Sequence, residues 1–95
     1  MIIEPDIALI LEKLYDNGNY KPVETLHGFA IWKKPIKESQ GRTIGNAVTK
    51  SQHNFLVKNN FCDKELNLTK KGKIQAIDIL IIKLKREKKY HEKNN

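Results

Sequence analysis

The chain has 95 residues, 39% of them hydrophobic, and a net charge of +7, which sets an expectation of one domain with a modest core. Its lone cysteine, Cys62, excludes an intrachain disulfide and a multi-cysteine zinc site, and His27, His53 and His91 lack any ligand spacing, so no metal or cofactor is expected. The start MIIEPDIALIL has no basic leader, and no apolar run reaches the roughly 18 residues of a membrane span; a soluble, cytoplasmic protein is expected.

Charge is unevenly spread. Residues 1–20 hold one base and four acids, residues 21–42 five bases and two acids, and residues 43–95 twelve bases and five acids. An acidic start beside a basic remainder points to a polyanionic partner, most often nucleic acid. No Gly-rich phosphate loop, His-Glu-x-x-His or pair of catalytic carboxylates is present, so no enzyme is expected.

Residues 4–17 read as a helix. Pro5 suits the first turn, Ile7, Ile10, Leu11 and Leu14 repeat at helical spacing, and Asn17-Gly18 stops the run. Residues 22–34 fit two descriptions. Val23, Leu26, Ala30 and Ile31 suit a short helix, whereas the alternation of Phe29, Ile31 and Lys33 with Ala30, Trp32 and Lys34 suits a strand. Residues 37–42 are polar and read as a loop.

Thr43 can cap a helix running to about Asn59. On that helix Ile44, Ala47, Val48, Ser51 and Phe55 share one face. Asn46, Thr49, Lys50 and His53 share the opposite face, with Gln52 flanking them. Asn59-Asn60 ends the helix. Phe61-Cys62 and Leu66-Asn67-Leu68 are short strand candidates around a turn at Asp63, Lys64 and Glu65. Thr69 then caps a helix from about Lys70 to Lys89, leaving a frayed basic tail over 88–95. Lys70, Lys71 and Lys73 oppose the helix dipole where they stand, so an external anion is the natural reason for them. Ile74, Ile77, Ile81 and Leu84, spaced three, four and three, form a heptad-like seam. Ala76, Ile79, Leu80 and Ile82 widen the apolar surface, so this helix is expected to be buried on two sides, by its own domain and by a second copy.

The stretch AVTKSQHNFLVKNNFCDKELNLTKKGKIQAIDIL, residues 47–80, resembles the second half of winged-helix DNA-binding regulators of the MarR and PadR type. In those families a recognition helix ends in a Lys-Gly or Asn-Gly-like turn with an apolar residue, and the second of two wing strands ends in Leu-Thr-x-Lys-Gly before a helix. Leu68-Thr69-Lys70-Lys71-Gly72 matches that ending, and Asn59-Asn60-Phe61 matches the turn. Arg42 to Val48 is also similar to the last conserved motif of cytosine-5 DNA methyltransferases. The Pro-Cys nucleophile and nucleotide fold of those enzymes are missing, so that match is accidental.

The resemblance implies an α+β fold: a small winged helix-turn-helix with a short β-hairpin wing and a long C-terminal helix. It also implies sequence-specific binding of double-stranded DNA, with the chain acting as a homodimeric transcriptional regulator. Asn46, Thr49, Lys50, Gln52 and His53 would face base edges or backbone from a helix in the major groove. Lys64, Lys70, Lys71 and Lys73 would take phosphates, and Ile74, Ile77, Ile81 and Leu84 would hold the dimer. Two rivals remain at this point. One is an accessory or inhibitor protein of phage or plasmid type that docks on a protein partner, a nucleic-acid-processing machine. The other is an RNA binder using Phe29 and Trp32 as stacking aromatics.

Overall fold

The computed structural model describes residues 3–26, 28–34 and 45–93. The fold is α+β, and the described residues form three helices and one three-stranded antiparallel sheet. The order is α1 (Pro5–Tyr15), β1 (Tyr20–Thr25), β2 (Gly28–Lys33), β3 (Gly45–Val48), α2 (Lys50–Lys58) and α3 (Lys70–Lys93). Among the described residues no helix is long and apolar enough to cross a membrane.

α1 forms where its pattern places it. Pro5 opens it, Asp6 sits in the first turn, and Ile7, Ile10, Leu11 and Leu14 are its buried stripe. Residues 20–33 are strands, not helix. β1 and β2 pair from Tyr20 opposite Lys33 to Thr25 opposite Gly28, and β2 pairs with β3 from Phe29 opposite Val48 to Trp32 opposite Gly45. The order β1-β2-β3 leaves β1 at an edge, where Pro22, lacking an N–H, costs no ladder bond. Gly28, at φ +132°, closes the hairpin in a conformation that only glycine adopts freely.

The helix expected over 43–59 is corrected. Residues 45–48 are strand β3, and the helix begins only at Lys50. Thr49 is its N-cap. The Thr49 hydroxyl accepts from the Gln52 amide N–H at 3.1 Å, and the Gln52 side-chain oxygen accepts from the Thr49 N–H at 2.9 Å. This reciprocal pair ends any helix at its own position and starts a new one. Val48 is buried in the core from the strand, not from a helical face. Thr43 and Ile44 lie outside the described residues.

α2 ends in a Schellman motif. Asn60 takes φ 62°, its N–H donates to the Val57 carbonyl at 3.1 Å, and the Phe61 N–H donates to the Leu56 carbonyl at 2.9 Å. Phe61 then packs on Phe55, ring centroids 6.4 Å apart. Between α2 and α3 the two expected strands are reduced to a single bridge, Cys62 opposite Leu68. The frayed tail expected from residue 88 is also corrected. α3 continues to Lys93, with a Lys88–Glu92 pair at 3.9 Å on its last turns.

The core joins the α1 stripe to Ile31, Val48, Leu56, Phe61, Cys62, Leu66 and Ala76. α3 reaches it through its smallest residues, Gly72 and Ala76, both buried, and Glu12 of α1 lies 3.8 Å from Lys83.

Candidate nucleic-acid interface

The hinge between α2 and α3, residues 59–69, is held by a network of internal hydrogen bonds. Asp63 is its centre. One carboxylate oxygen accepts from the Glu65 and Asn67 amide N–H groups, both at 2.9 Å, and the other from the Asn67 side-chain amide at 3.1 Å. Donation from Asn67, backbone and then side chain, holds the Asp63 carboxyl below the usual carboxylate range. Leu66 adopts φ 63°, a conformation a Leu side chain resists, and its burial at 1% exposure offsets that cost.

The Leu-Thr-x-Lys-Gly stretch has a local physical explanation. The Thr69 hydroxyl donates to the Asn60 carbonyl and accepts from the Gly72 N–H at 3.0 Å, while the Thr69 N–H donates to the Phe61 carbonyl at 3.0 Å. One side chain thus caps α3 and ties it to the end of α2. Gly72 is required because a Cβ there would lie 1.9 Å from the Phe61 carbonyl oxygen. Threonine and glycine lock the two helices at their junction, and the lysines between them are free to face outward.

They do so. Lys58, Lys64, Lys70, Lys71 and Lys73 are all exposed, against two acids, Asp63 and Glu65, in the same stretch. Among the described residues the salt bridges are Lys83–Glu12 and Lys88–Glu92, so none of these five lysines is ion-paired there. Lys71 lies over the Phe61 ring, 5.3 Å from its centroid, an approach that orients the ammonium without neutralising it.

The five residues expected to read bases do not form one helical face. Asn46 is in β3, its backbone opposite Ile31. Thr49 and Gln52 are consumed by the cap, and the Gln52 amide N–H₂ also donates to Asp6 of α1 at 2.8 Å, which lowers the Asp6 pKa. His53 Nε2 donates to the Lys64 carbonyl at 2.9 Å, since a carbonyl can only accept, and its ring meets Phe29 edge-on at 5.4 Å. Lys50 alone of the five projects from α2 as an exposed side chain. Lys64, Lys70, Lys71 and Lys73 are all exposed on the hinge or the first turn of α3, Lys71 leaning over Phe61 and Lys73 lying beside Leu66 and Asn67. Lys58, exposed on the last turn of α2, adds a fifth base that the sequence pattern does not single out. The one signal that could have found it is its position, one residue before the Asn-Asn helix stop.

The seam residues are the largest exposed aliphatic group on α3. Ile74 is 53% exposed, Ile77 39%, Ile81 44% and Leu84 62%. Ile74 and Ile81 stand across the helix from Gly72 and Ala76, Ile77 and Leu84 stand to one side, and Ile82, 52% exposed, lies outside the seam on the other. The two candidate stacking aromatics separate. Phe29 packs against the core, while Trp32, three positions further along β2, points to the other face of the sheet.

Cys62 is buried, and burial, with the neighbouring Asp63 charge, pushes its thiol up to about 12. Compared with protein-family models, curated proteins and solved structures, the chain matches none.

Proposed function

We propose that this protein binds double-stranded DNA through phosphate contacts made by the lysines flanking the α2–α3 hinge. In this reading the unit from α2 to the start of α3 works as an abbreviated winged helix, with the stapled 63–67 turn in place of a full wing. The observation that carries it is the set of five exposed lysines, without ion pairs among the described residues, flanking a turn stapled by Asp63 and Thr69. Bringing like charges together on a rigid support costs free energy in the isolated protein, and that cost is offset when phosphates arrive. The locked hinge means that the backbone carrying the lysines need not be ordered on binding, which lowers the entropic cost.

Sequence preference is expected to be weak. Gln52 and His53 are tied inward, and α2 spans only nine residues. Lys50 is the one base-directed candidate of the five on the exposed side of α2. The protein acts as a homodimer through the α3 seam, and any role in regulating transcription follows from where the dimer sits on DNA.

The test is fluorescence anisotropy of a labelled random duplex across a salt series. Each phosphate contact contributes a slope of about −0.9 in log K against log salt, so the five lysines predict a slope of roughly −4.5 per protomer. Absence of binding at low salt overturns the proposal. Tight, salt-insensitive association with a protein partner would favour the docking reading instead.

A further inference from the structure

From Ile81 to Lys93 every residue of α3 is exposed, and the Lys83–Glu12 pair ties the start of this half to α1. The seam begins on the first half and continues onto this exposed half. Assigning Ile74 and Ile81 to heptad position a places Ile77 and Leu84 at d, Lys88 at the next a and His91 at the next d. Lys71, Asp78, Lys85 and Glu92 then fall at e, flanking the seam.

We propose that α3 pairs with α3 of a second copy in antiparallel orientation, Ile81 of each copy against Leu84 of the other, with Asp78 facing Lys85 across the interface. Symmetry makes each contact twice. Two Ile81–Leu84 layers form the centre. Outside them the Lys88 stem lies over Ile77 of the other copy, its ammonium reaching solvent, and His91 lies beside Ile74. The overlap runs from residue 72 to residue 93 in both copies, which covers the exposed half of each helix with the seam of the other.

Two alternative pairings are disfavoured by charge. Shifting the antiparallel register so that Ile74 meets Leu84 and Ile77 meets Ile81 sets Asp78 against Asp78 and Lys71 against Lys85. A parallel pair sets Lys88 on Lys88 within the seam, places Glu87 beside Glu92, and aligns the two helix dipoles.

The pairing has a geometric consequence that rests on the DNA reading above. Lys71 of the two copies is then separated by about 23 residues of helical rise, or about 34 Å at ~1.5 Å per residue. That is about one turn of duplex, the separation at which a two-fold dimer meets two equivalent stretches of backbone on one side of DNA. A parallel pair would instead bring the two lysine clusters side by side, about 10 Å apart.

The experiment is thiol cross-linking without DNA, at tens of micromolar. Cys62 is buried and its thiol is held protonated, so it stays silent. Mixing Ile81→Cys protein with Leu84→Cys protein under mild oxidation is expected to give the mixed disulfide dimer in several-fold excess over either protein cross-linked to itself. Self-cross-linking of Leu84→Cys in excess, or a mixed product of Ile74→Cys with Leu84→Cys in excess, overturns the proposal, as does sedimentation of the wild type as a monomer. A charge swap gives an independent readout. Asp78→Lys is expected to weaken self-association roughly tenfold, and Asp78→Lys with Lys85→Asp to restore it; no restoration counts against the register. The expected cross-link in a protein with no duplex affinity would keep the pairing and overturn its meaning for DNA spacing.

Discussion

The α2–α3 hinge and the outer face of α3 adjoin in sequence and are opposites in chemistry. In the hinge Thr69, Asp63, Asn60 and Gly72 meet partners within the chain, and Phe61, Cys62 and Leu66 are buried. On the outer face four large aliphatic residues and a run of bases meet solvent. The first region uses its residues to hold one geometry. The second is spare with respect to folding of the single chain, which is why its residues are the ones to assign to partners. If that division holds, substitutions in the hinge act on stability, and substitutions on the outer face or at the hinge lysines act on association.

The largest expected effect is at Gly72. Gly72→Ala forces a Cβ onto the Phe61 carbonyl, so the helix must move, and a loss of about 3 kcal/mol or more is expected in urea unfolding. A neutral result would show that the α2–α3 junction is loose enough to admit a methyl group. Thr69→Val comes next. It removes both hydroxyl hydrogen bonds and should cost about 2 kcal/mol, with Thr69→Ser recovering most of it. A Thr69→Val variant as stable as wild type would show that the two hydroxyl bonds contribute nothing.

A smaller effect is read through pH. Asp63 and Asp6 have pKa values lowered by hydrogen bonds in the folded state. A lowered folded pKa contributes stability that is present above the unfolded value near 3.8 and is lost as pH falls through the folded value. The melting temperature should therefore fall below about pH 4, and Asp63→Asn should flatten part of that fall. An unchanged pH profile in the variant would show that the Asp63 staple contributes nothing. The smallest effect on folding is expected on the outer face. Ile81→Glu should leave the stability of dilute protein within about 0.5 kcal/mol of wild type while abolishing self-association. Unfolding of the variant at low concentration would mean that the seam belongs to the monomer core.

Much of this contrast is legible in the sequence, for identifiable reasons. α1 is readable because its periodicity, its opening Pro5 and its Gly18 stop all agree. α3 is readable from Thr69 and the Ile74-Ile77-Ile81-Leu84 spacing, though its end falls at Lys93 because an exposed i,i+4 pair, Lys88–Glu92, prolongs it. The segment 43–59 misleads because Ala47, Val48, Ser51 and Phe55 match a helical face by accident. Val48 is β-branched and pairs with Phe29, a partner no local window contains. The signal that separates strand from helix is present as Thr49-x-x-Gln52, a capping box that starts a helix at Lys50. The candidate interface divides in the same way. The lysines can be placed by charge alone, since exposed ammonium groups need no partner to be where they are. Gln52 and His53 cannot, because their partners, Asp6 and the Lys64 carbonyl, lie 46 and 11 residues away.

The most direct measurement of the central claim compares wild type with the triple variant Lys70→Ala, Lys71→Ala, Lys73→Ala by duplex anisotropy across a salt series. The variant should remain folded, since these side chains are exposed and only Lys71, over the Phe61 ring, leans on the core. Its binding should weaken alike for every duplex sequence. Its slope of log K against log salt should flatten by about 0.9 for each phosphate no longer neutralised, or roughly 3 per protomer. A folded variant whose affinity and salt slope equal those of wild type would contradict the account.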